Sequence, residues 1–257
     1  MLRLSRLARY GAGLSSHDLL KLVAVALMSI DHIGAYLYPD ALWLRVIGRA
    51  SFPLFFFLAG YAPASRWRWD IIWVALAVEL VAVLTYHPLF PLNALFGFII
   101  ARLVVLRYHE VIVREPLMCW LLCLVFLTPT VLLWEYGTQA CLFAIYGYLV
   151  RVQREQYTTL IFACLTIATY PLLQLLGFDF SLPQLIAVYV LIIGAGIAMW
   201  YFKPHVFTLR DSAAMRTMLV LSRYSLYYYA LHLALLMILA AYVLHTQAPQ
   251  AFRLINW

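Results

Sequence analysis

Asp31 and His32 stand side by side inside an apolar run, DLLKLVAVALMSIDHIGAYLY, that extends from Asp18 to Tyr38. About 20 such residues cross the hydrocarbon core of a bilayer as one helix. No water is present there to satisfy backbone N–H and C=O groups, so helices and closed barrels are the only spanning forms. An ionisable pair at that depth is expensive unless other helices surround it, and the run therefore implies a bundle rather than a lone anchor. The rest of the chain supplies one. Of its 257 residues, 66% are hydrophobic and 11% charged, against about 25% charged in a soluble domain. Mean hydropathy is +0.89. The expected fold class is all-α, a polytopic transmembrane helix bundle.

Apolar runs place helices near 18–38, 46–64, 70–86, 90–107, 116–134, 138–150, 157–176, 183–202 and 224–245. The run 138–150 is short and is expected to be half-buried or distorted. Residues 206–222 read either as an interfacial amphipathic helix or as a further pass. Nine to ten transmembrane helices follow. With a cytoplasmic N-terminus, 15 of the 18 Lys and Arg residues fall at or near the cytoplasmic side, and Arg45, Arg49 and Arg253 fall on the other. That bias follows the positive-inside rule, so the net charge of +7 reports topology and not nucleic-acid binding. Residues 1–17, with Arg3, Arg6 and Arg9, form a basic N-terminal segment, either a surface helix or a tail. Residues 18–257 form a single transmembrane domain. The N-terminus lacks a continuous apolar core, so the first membrane helix is expected to direct insertion itself. Cys119, Cys123, Cys141 and Cys164 lie in apolar runs without zinc-ligand spacing, and no metal is expected.

Lys21 opens the first helix, as a topology anchor or as a ligand group. Eleven residues on, at about 100° per residue, His32 returns to nearly the same face, roughly 16 Å along the axis. Asp31 points about 100° away from His32 and needs a partner of its own. Arg45 and Arg49, one helical turn apart, are the nearest candidates. An ion pair stapling two helices is one reading of this set. Four such groups within nineteen residues favour a functional centre. Pro53, in GRASFPLFFFLAG, is expected to break the second helix and free backbone carbonyls. Glu79 and Asn93 are polar residues in apolar runs, suited to interhelical hydrogen bonds or to substrate. Glu135, Tyr136 and Gly137 fall in an outer turn. Tyr228 and His232 share a face of the last helix, and His87 is expected to be solvated.

The stretches DLLKLVAVALMSIDHIGAYL and LRVIGRASFPLFFFL together resemble the opening of the TraX family, named for the membrane protein that acetylates the N-terminus of F-type conjugative pilin. Lys21, Ala24, Met28, Asp31, His32, Gly34, Arg45, Gly48, Arg49, Phe52, Pro53 and Phe55 stand at matching positions. Fainter likeness continues through Asn93 ahead of Gly97, Tyr136-Gly137 and the Tyr-rich closing helix with His232. The arrangement is also similar to a wider group of multipass acyltransferases, including heparan glucosaminide acetyltransferase and polysaccharide O-acetyltransferases. In those, a histidine of the early membrane helices serves transfer from acyl-CoA. AGYAPASRWR after the second helix and ALH at the final histidine depart from the family pattern, and they leave the acceptor open. The resemblance implies a multi-pass protein of the bacterial inner membrane that uses acetyl-CoA.

On that reading His32 is the catalytic base or a transient acyl carrier, with Asp31 orienting it or pairing with Arg49. Arg45, Arg49, Asn93, Tyr228 and His232 are expected to bind substrate. Lys21, Arg66, Arg68 and Arg223 are expected to hold the nucleotide phosphates of acetyl-CoA. The expected partners are the lipid bilayer, an acyl-CoA, and an acceptor that is a pilin-like protein or an envelope glycan. A homodimer is left open, and no nucleic acid is expected. An ion- or proton-coupled transporter would use the same buried groups as a relay. A non-catalytic assembly protein of a conjugation or secretion apparatus would use them only to fold. No second copy of the DH…GR segment is present, unlike the paired halves common in transporters.

Overall fold

A computed structural model describes residues 13–62, 69–207 and 212–243. α1 (Ser16–Tyr36) begins at a capping box, in which Ser15 Oγ accepts from the Asp18 N–H at 3.2 Å and the Asp18 carboxylate accepts from the Ser15 N–H at 3.0 Å. After a tight turn come α2 (Leu42–Gly48) and α3 (Ser51–Tyr61), which together make one apolar span. Then follow α4 (Trp69–Leu84), α5 (Ala94–Arg114), α6 (Pro116–Val125), α7 (Leu127–Val131) and α8 (Gln139–Gln153). The chain continues through α9 (Tyr157–Gly177), α10 (Leu182–Trp200), α11 (Ala213–Arg223) and α12 (Ser225–Ile238), the last prolonged by a π-helical turn over Leu239–Val243. A two-residue ladder, β1 (Leu14–Ser15) against β2 (Val206–Phe207), is the strand pairing among the described residues. The architecture is all-α. Among the described residues, four helices are long and apolar enough to cross a membrane: Ser16–Tyr36, Leu42–Tyr61, Leu182–Trp200 and Ser225–Val243.

The core is an α3–α8 pair. Every residue from Gln139 to Val150 is buried, and so is all of α3 except Phe55. The 138–150 run is thus a regular central helix and not a half-buried one, which is why its sequence carries no polar face. Glycines set how closely the pair approaches. A Cβ at Gly60 would lie 1.7 Å from Ala144 O, and one at Gly147 would lie 2.0 Å from Phe57 O. Small residues at crossing points are how membrane helices gain van der Waals contact, since lipid offers no hydrophobic drive between helices.

The second helix breaks at Arg49 and Ala50, ahead of Pro53, which sits in the first turn of α3. Pro is tolerated there because its missing N–H lacks little intrahelical bonding. The carbonyl that a residue-53 N–H would have bonded is Arg49 O, and Tyr170 Oη donates to it at 2.7 Å. Within 206–222 the described residues form the short ladder and α11, whose buried Met215, Leu219 and Ser222 recur at helical spacing, with Ser212 as N-cap. Met215 and Leu219 pack with Leu14 and Leu22. Ser222 Oγ donates to Asp18 Oδ1 at 2.6 Å, tying α11 to the start of α1. The basic segment before residue 13 lies outside the described residues. Of the rest of the expected 1–17 segment, Leu14–Ser15 is the strand that pairs with β2, and Ser16 and His17 already belong to α1.

Gly60→Ala and Gly147→Ala are each expected to lower stability by about 1–3 kcal/mol through overpacking, read as a fall in Tm of the detergent-solubilised protein. Gly194→Ala, in the interior of α10 where a new Cβ meets nothing within 4 Å, is the control and does not lower Tm.

Candidate active site

Two clusters meet on α1, one residue apart. On one face the Asp31 carboxylate, with 4% of the residue exposed, is shared by two guanidinium groups. Arg45 Nη1 donates to Asp31 Oδ2 and to Asp31 O, each at 2.9 Å. Arg49 Nη2 donates to both carboxylate oxygens, and its Nε reaches Oδ1 at 3.2 Å. The ring of Phe178 lies 4.7 Å from the Arg49 guanidinium carbon and 5.3 Å from that of Arg45. It covers the cations with an aromatic face in place of water. Gly48 makes this approach feasible, because a Cβ there would fall 2.2 Å from Asp31 Cβ. This is the partner that the sequence required for Asp31, and it occupies both arginines.

On the adjacent face, His32 Nδ1 lies 2.8 Å from His232 Nε2 of α12, and His232 Nδ1 lies 2.8 Å from Tyr228 O. The Tyr228 hydroxyl meets Ser29 Oγ at 2.8 Å, a second link between α12 and α1. The ring of Tyr229 stands edge-on to His32 at 5.9 Å.

His32 and Asp31 line a cavity of about 350 Å³ that also reaches Lys21 and Arg102. Its wall is mostly apolar, with Phe52, Phe55, Phe56 and Phe98, while Ser51, Glu135, Tyr136 and Tyr229 add polar groups. Phe52 stacks on Tyr136 at 3.8 Å between centroids. Glu135 and Tyr136 reach the wall because Tyr136 and Gly137 turn the chain with φ of 67° and 49°, a region that glycine adopts freely and other residues at a cost. Burial pushes the Glu135 carboxyl up to about 7, against the pull of Arg45 and with Glu79 adding to the rise.

The structure therefore brings His32, Asp31 and Lys21 to one cavity, with His232 bonded behind His32. Tyr228 stands one layer further back, bonded to Ser29. Arg45 and Arg49 are held by Asp31 and are not on the cavity wall. Asn93 is engaged elsewhere: its Oδ1 caps α5 by accepting from the Leu95 N–H at 3.1 Å, and its Nδ2 donates to Glu79 Oε2 at 2.8 Å and Ala75 O at 2.9 Å. Arg223 ends α11 off the wall, two residues before Ser225, which is on it. Arg66 and Arg68 lie outside the described residues. His87 is half-buried instead of solvated, with its Nδ1 3.1 Å from Thr85 Oγ1. Sequence reasoning passed over Arg102, Glu135 and Tyr229. In the sequence Arg102 is one of the 15 cytoplasmic-side basic residues and reads as topology, Glu135 reads as part of an outer turn, and the i, i+4 match between Tyr228 and His232 hides Tyr229.

An all-helical membrane protein with a half-buried histidine pair and a cavity bearing cations and aromatics is the class so defined. The family model described as TraX protein matches residues 16–240, and the chain belongs to the TraX family. An 80-residue stretch is 38% identical to the uncharacterized protein RP591 of Rickettsia prowazekii (strain Madrid E), covering 31% of this chain and 32% of that protein. The chain thus matches about a third of that relative's length. No solved structure matches.

Removing one partner of a buried ion pair leaves an uncompensated charge and costs about 3–5 kcal/mol. Asp31→Ala, which strands two arginines, is expected to lose at least that much. Arg45→Ala leaves Asp31 paired with Arg49 and is expected to cost less. Tm values of the purified variants check the order.

Proposed function

We propose that this TraX-family protein is an integral membrane acetyltransferase that carries the acetyl group of acetyl-CoA to an amine or a hydroxyl, with His32 as general base. The observation that carries the reading is the cavity, whose wall carries Lys21, Arg102, several aromatic rings and His32 together. Acetyl-CoA has a polyanionic head, a long thin arm and a reactive thioester at its tip. The cations suit the phosphates, the apolar wall suits the arm, and the roughly 16 Å of α1 between Lys21 and His32 suits its length. Arg66, Arg68 and Arg223 belong to the same proposal as further phosphate ligands at that end.

In the transfer, the acceptor nitrogen or oxygen attacks the thioester carbonyl while His32 takes its proton. The new C–N or C–O bond forms, the C–S bond breaks, and the proton passes from His32 to the departing thiolate. General-base assistance of this kind contributes about 10²–10⁴-fold. Asp31, Arg45 and Arg49 hold α1 against α2, and so fix where His32 sits. The TraX family name supports a pilin N-terminal amine as acceptor, and the wider acyltransferase likeness supports an envelope glycan hydroxyl. The loop charges support nine to ten passes, a cytoplasmic N-terminus and donor entry from the cytoplasmic side of the bacterial inner membrane.

His32→Ala is expected to cut acetyl transfer from radiolabelled acetyl-CoA in inverted membrane vesicles by at least about 10²-fold, at equal protein level. Undiminished transfer overturns the assignment. Lys21→Glu is expected to weaken acetyl-CoA binding at least about tenfold, equivalent to about 1.4 kcal/mol, by equilibrium dialysis of purified protein. An unchanged Kd returns Lys21 to a topology anchor.

A further inference from the structure

His32 and His232 are 200 residues apart in sequence and touch through one nitrogen each, at 2.8 Å. Their ring planes differ by 14° and their centroids are 4.9 Å apart. With so short an N···N contact, that centroid spacing puts the rings edge to edge, in the plane where a nitrogen lone pair points, and not face to face. The direction of the hydrogens then follows from the far end. Tyr228 O can only accept, so His232 Nδ1 carries a hydrogen. A neutral His232 therefore has its lone pair on Nε2. The hydrogen between the rings sits on His32 Nδ1, and His32 Nε2 is left bare.

Resting on the reading of His32 as base, we propose that His232 is a positioning residue that locks His32 in its Nδ1–H tautomer, so that Nε2 is the base, and that the pair is a closed store for one proton. When Nε2 takes the acceptor's proton, the Nδ1 proton can shift toward His232 Nε2 and spread the positive charge over both rings. It goes no further, because the next group is a backbone carbonyl that does not take up a proton. The Nδ1 proton returns as Nε2–H is delivered to the thiolate, and the tautomer is reset for the next turnover. A proton-coupled transporter would need an acceptor beyond His232, and the bonded chain ends at Tyr228 O.

The charged and titratable groups around the pair are compatible with this role. Asp31 carries its charge toward Arg45 and Arg49, and among the described residues no hydrogen bond joins its carboxylate to either histidine. Tyr229 contributes a ring contact to both histidines. Tyr36 lies one turn further along α1, against His87. Glu135, Lys21 and Arg102 share the cavity with His32 and not with His232.

The test uses the full chain in lipid nanodiscs with ¹⁵N-labelled histidine, resonances being assigned through His32→Gln and His232→Gln. NMR is expected to show neutral His32 protonated at Nδ1. In His232→Phe, which cannot accept, the Nε2–H form of His32 appears. In His232→Gln, whose amide oxygen can accept, the Nδ1–H form persists. Wild-type His32 protonated at Nε2 overturns the proposal, as does a tautomer indifferent to His232→Phe. If His232→Phe does not fold, the wild-type and His232→Gln spectra still decide. None of these spectra needs acetyl-CoA, so they stand or fall apart from the acetyltransferase reading. With radiolabelled acetyl-CoA, His232→Phe is expected to lose about 10²–10⁴-fold in turnover at unchanged KM, and His232→Gln to recover most of it. A loss equal in both variants overturns the positioning role.

Discussion

The buried carboxylate of Asp31 governs the geometry of the first three helices. A lone ionised group at 4% exposure would cost several kcal/mol or take up a proton. Two guanidinium groups remove that cost, and Arg49 is as deeply buried as its partner. Attraction alone does not position them. Arg45 and Arg49 lie a turn apart where α2 ends, and Gly48 between them lets the backbone press against Asp31. The helix breaks just after that point, and the carbonyl left over at Arg49 is bonded by Tyr170 from α9. Ion pair, glycine, helix break and tyrosine form one local solution, in which each element removes a cost created by another.

That solution also determines what His32 can do. Neighbouring side chains on a helix diverge by about 100°. Once Asp31 is committed to α2, His32 is turned toward α12 and the cavity. The ion pair thus works on the histidine through rotation of α1, with no hydrogen bond between the two. Arg45 and Arg49 look like an anion site when read as a pair of cations on one helix face. In the structure their charge answers Asp31, and the cations that share the cavity with His32 are Lys21 and Arg102.

Much of this was legible in the sequence because it is local. Residues 18 to 53 carry their own constraints: an apolar run fixes the helix, a buried Asp demands Arg, and Pro53 signals a nearby break. The Lys21–His32 register follows from helical periodicity alone, and the cavity joins those two residues. What was not legible is nonlocal. No spacing rule pairs His32 with His232 across 200 residues, or brings Glu135 to a cavity wall through a turn of two left-handed residues. Asn93 stays open between two readings in the sequence for a related reason. Its type and position fit a substrate contact equally well, and only the presence of Glu79 beside the α5 N-terminus makes it a cap. The short 138–150 run looked marginal for a span, and its shortness reflects complete burial by other helices.

The closing helices explain how so distant a pairing is held in register. Between membrane helices, apolar contact is a weak guide to register, since lipid tails are as apolar as leucine. Polar contacts supply the register here, at three heights along α1: Asp18 with Ser222 at 2.6 Å, Ser29 with Tyr228 at 2.8 Å, and His32 with His232 at 2.8 Å. One contact would allow α12 to rotate about it. Contacts separated along the axis oppose both rotation and sliding, and two of the three do not involve a histidine. The docking of α11 and α12 therefore does not depend on the histidine pair alone, which is what the proton-holding role proposed for that pair requires.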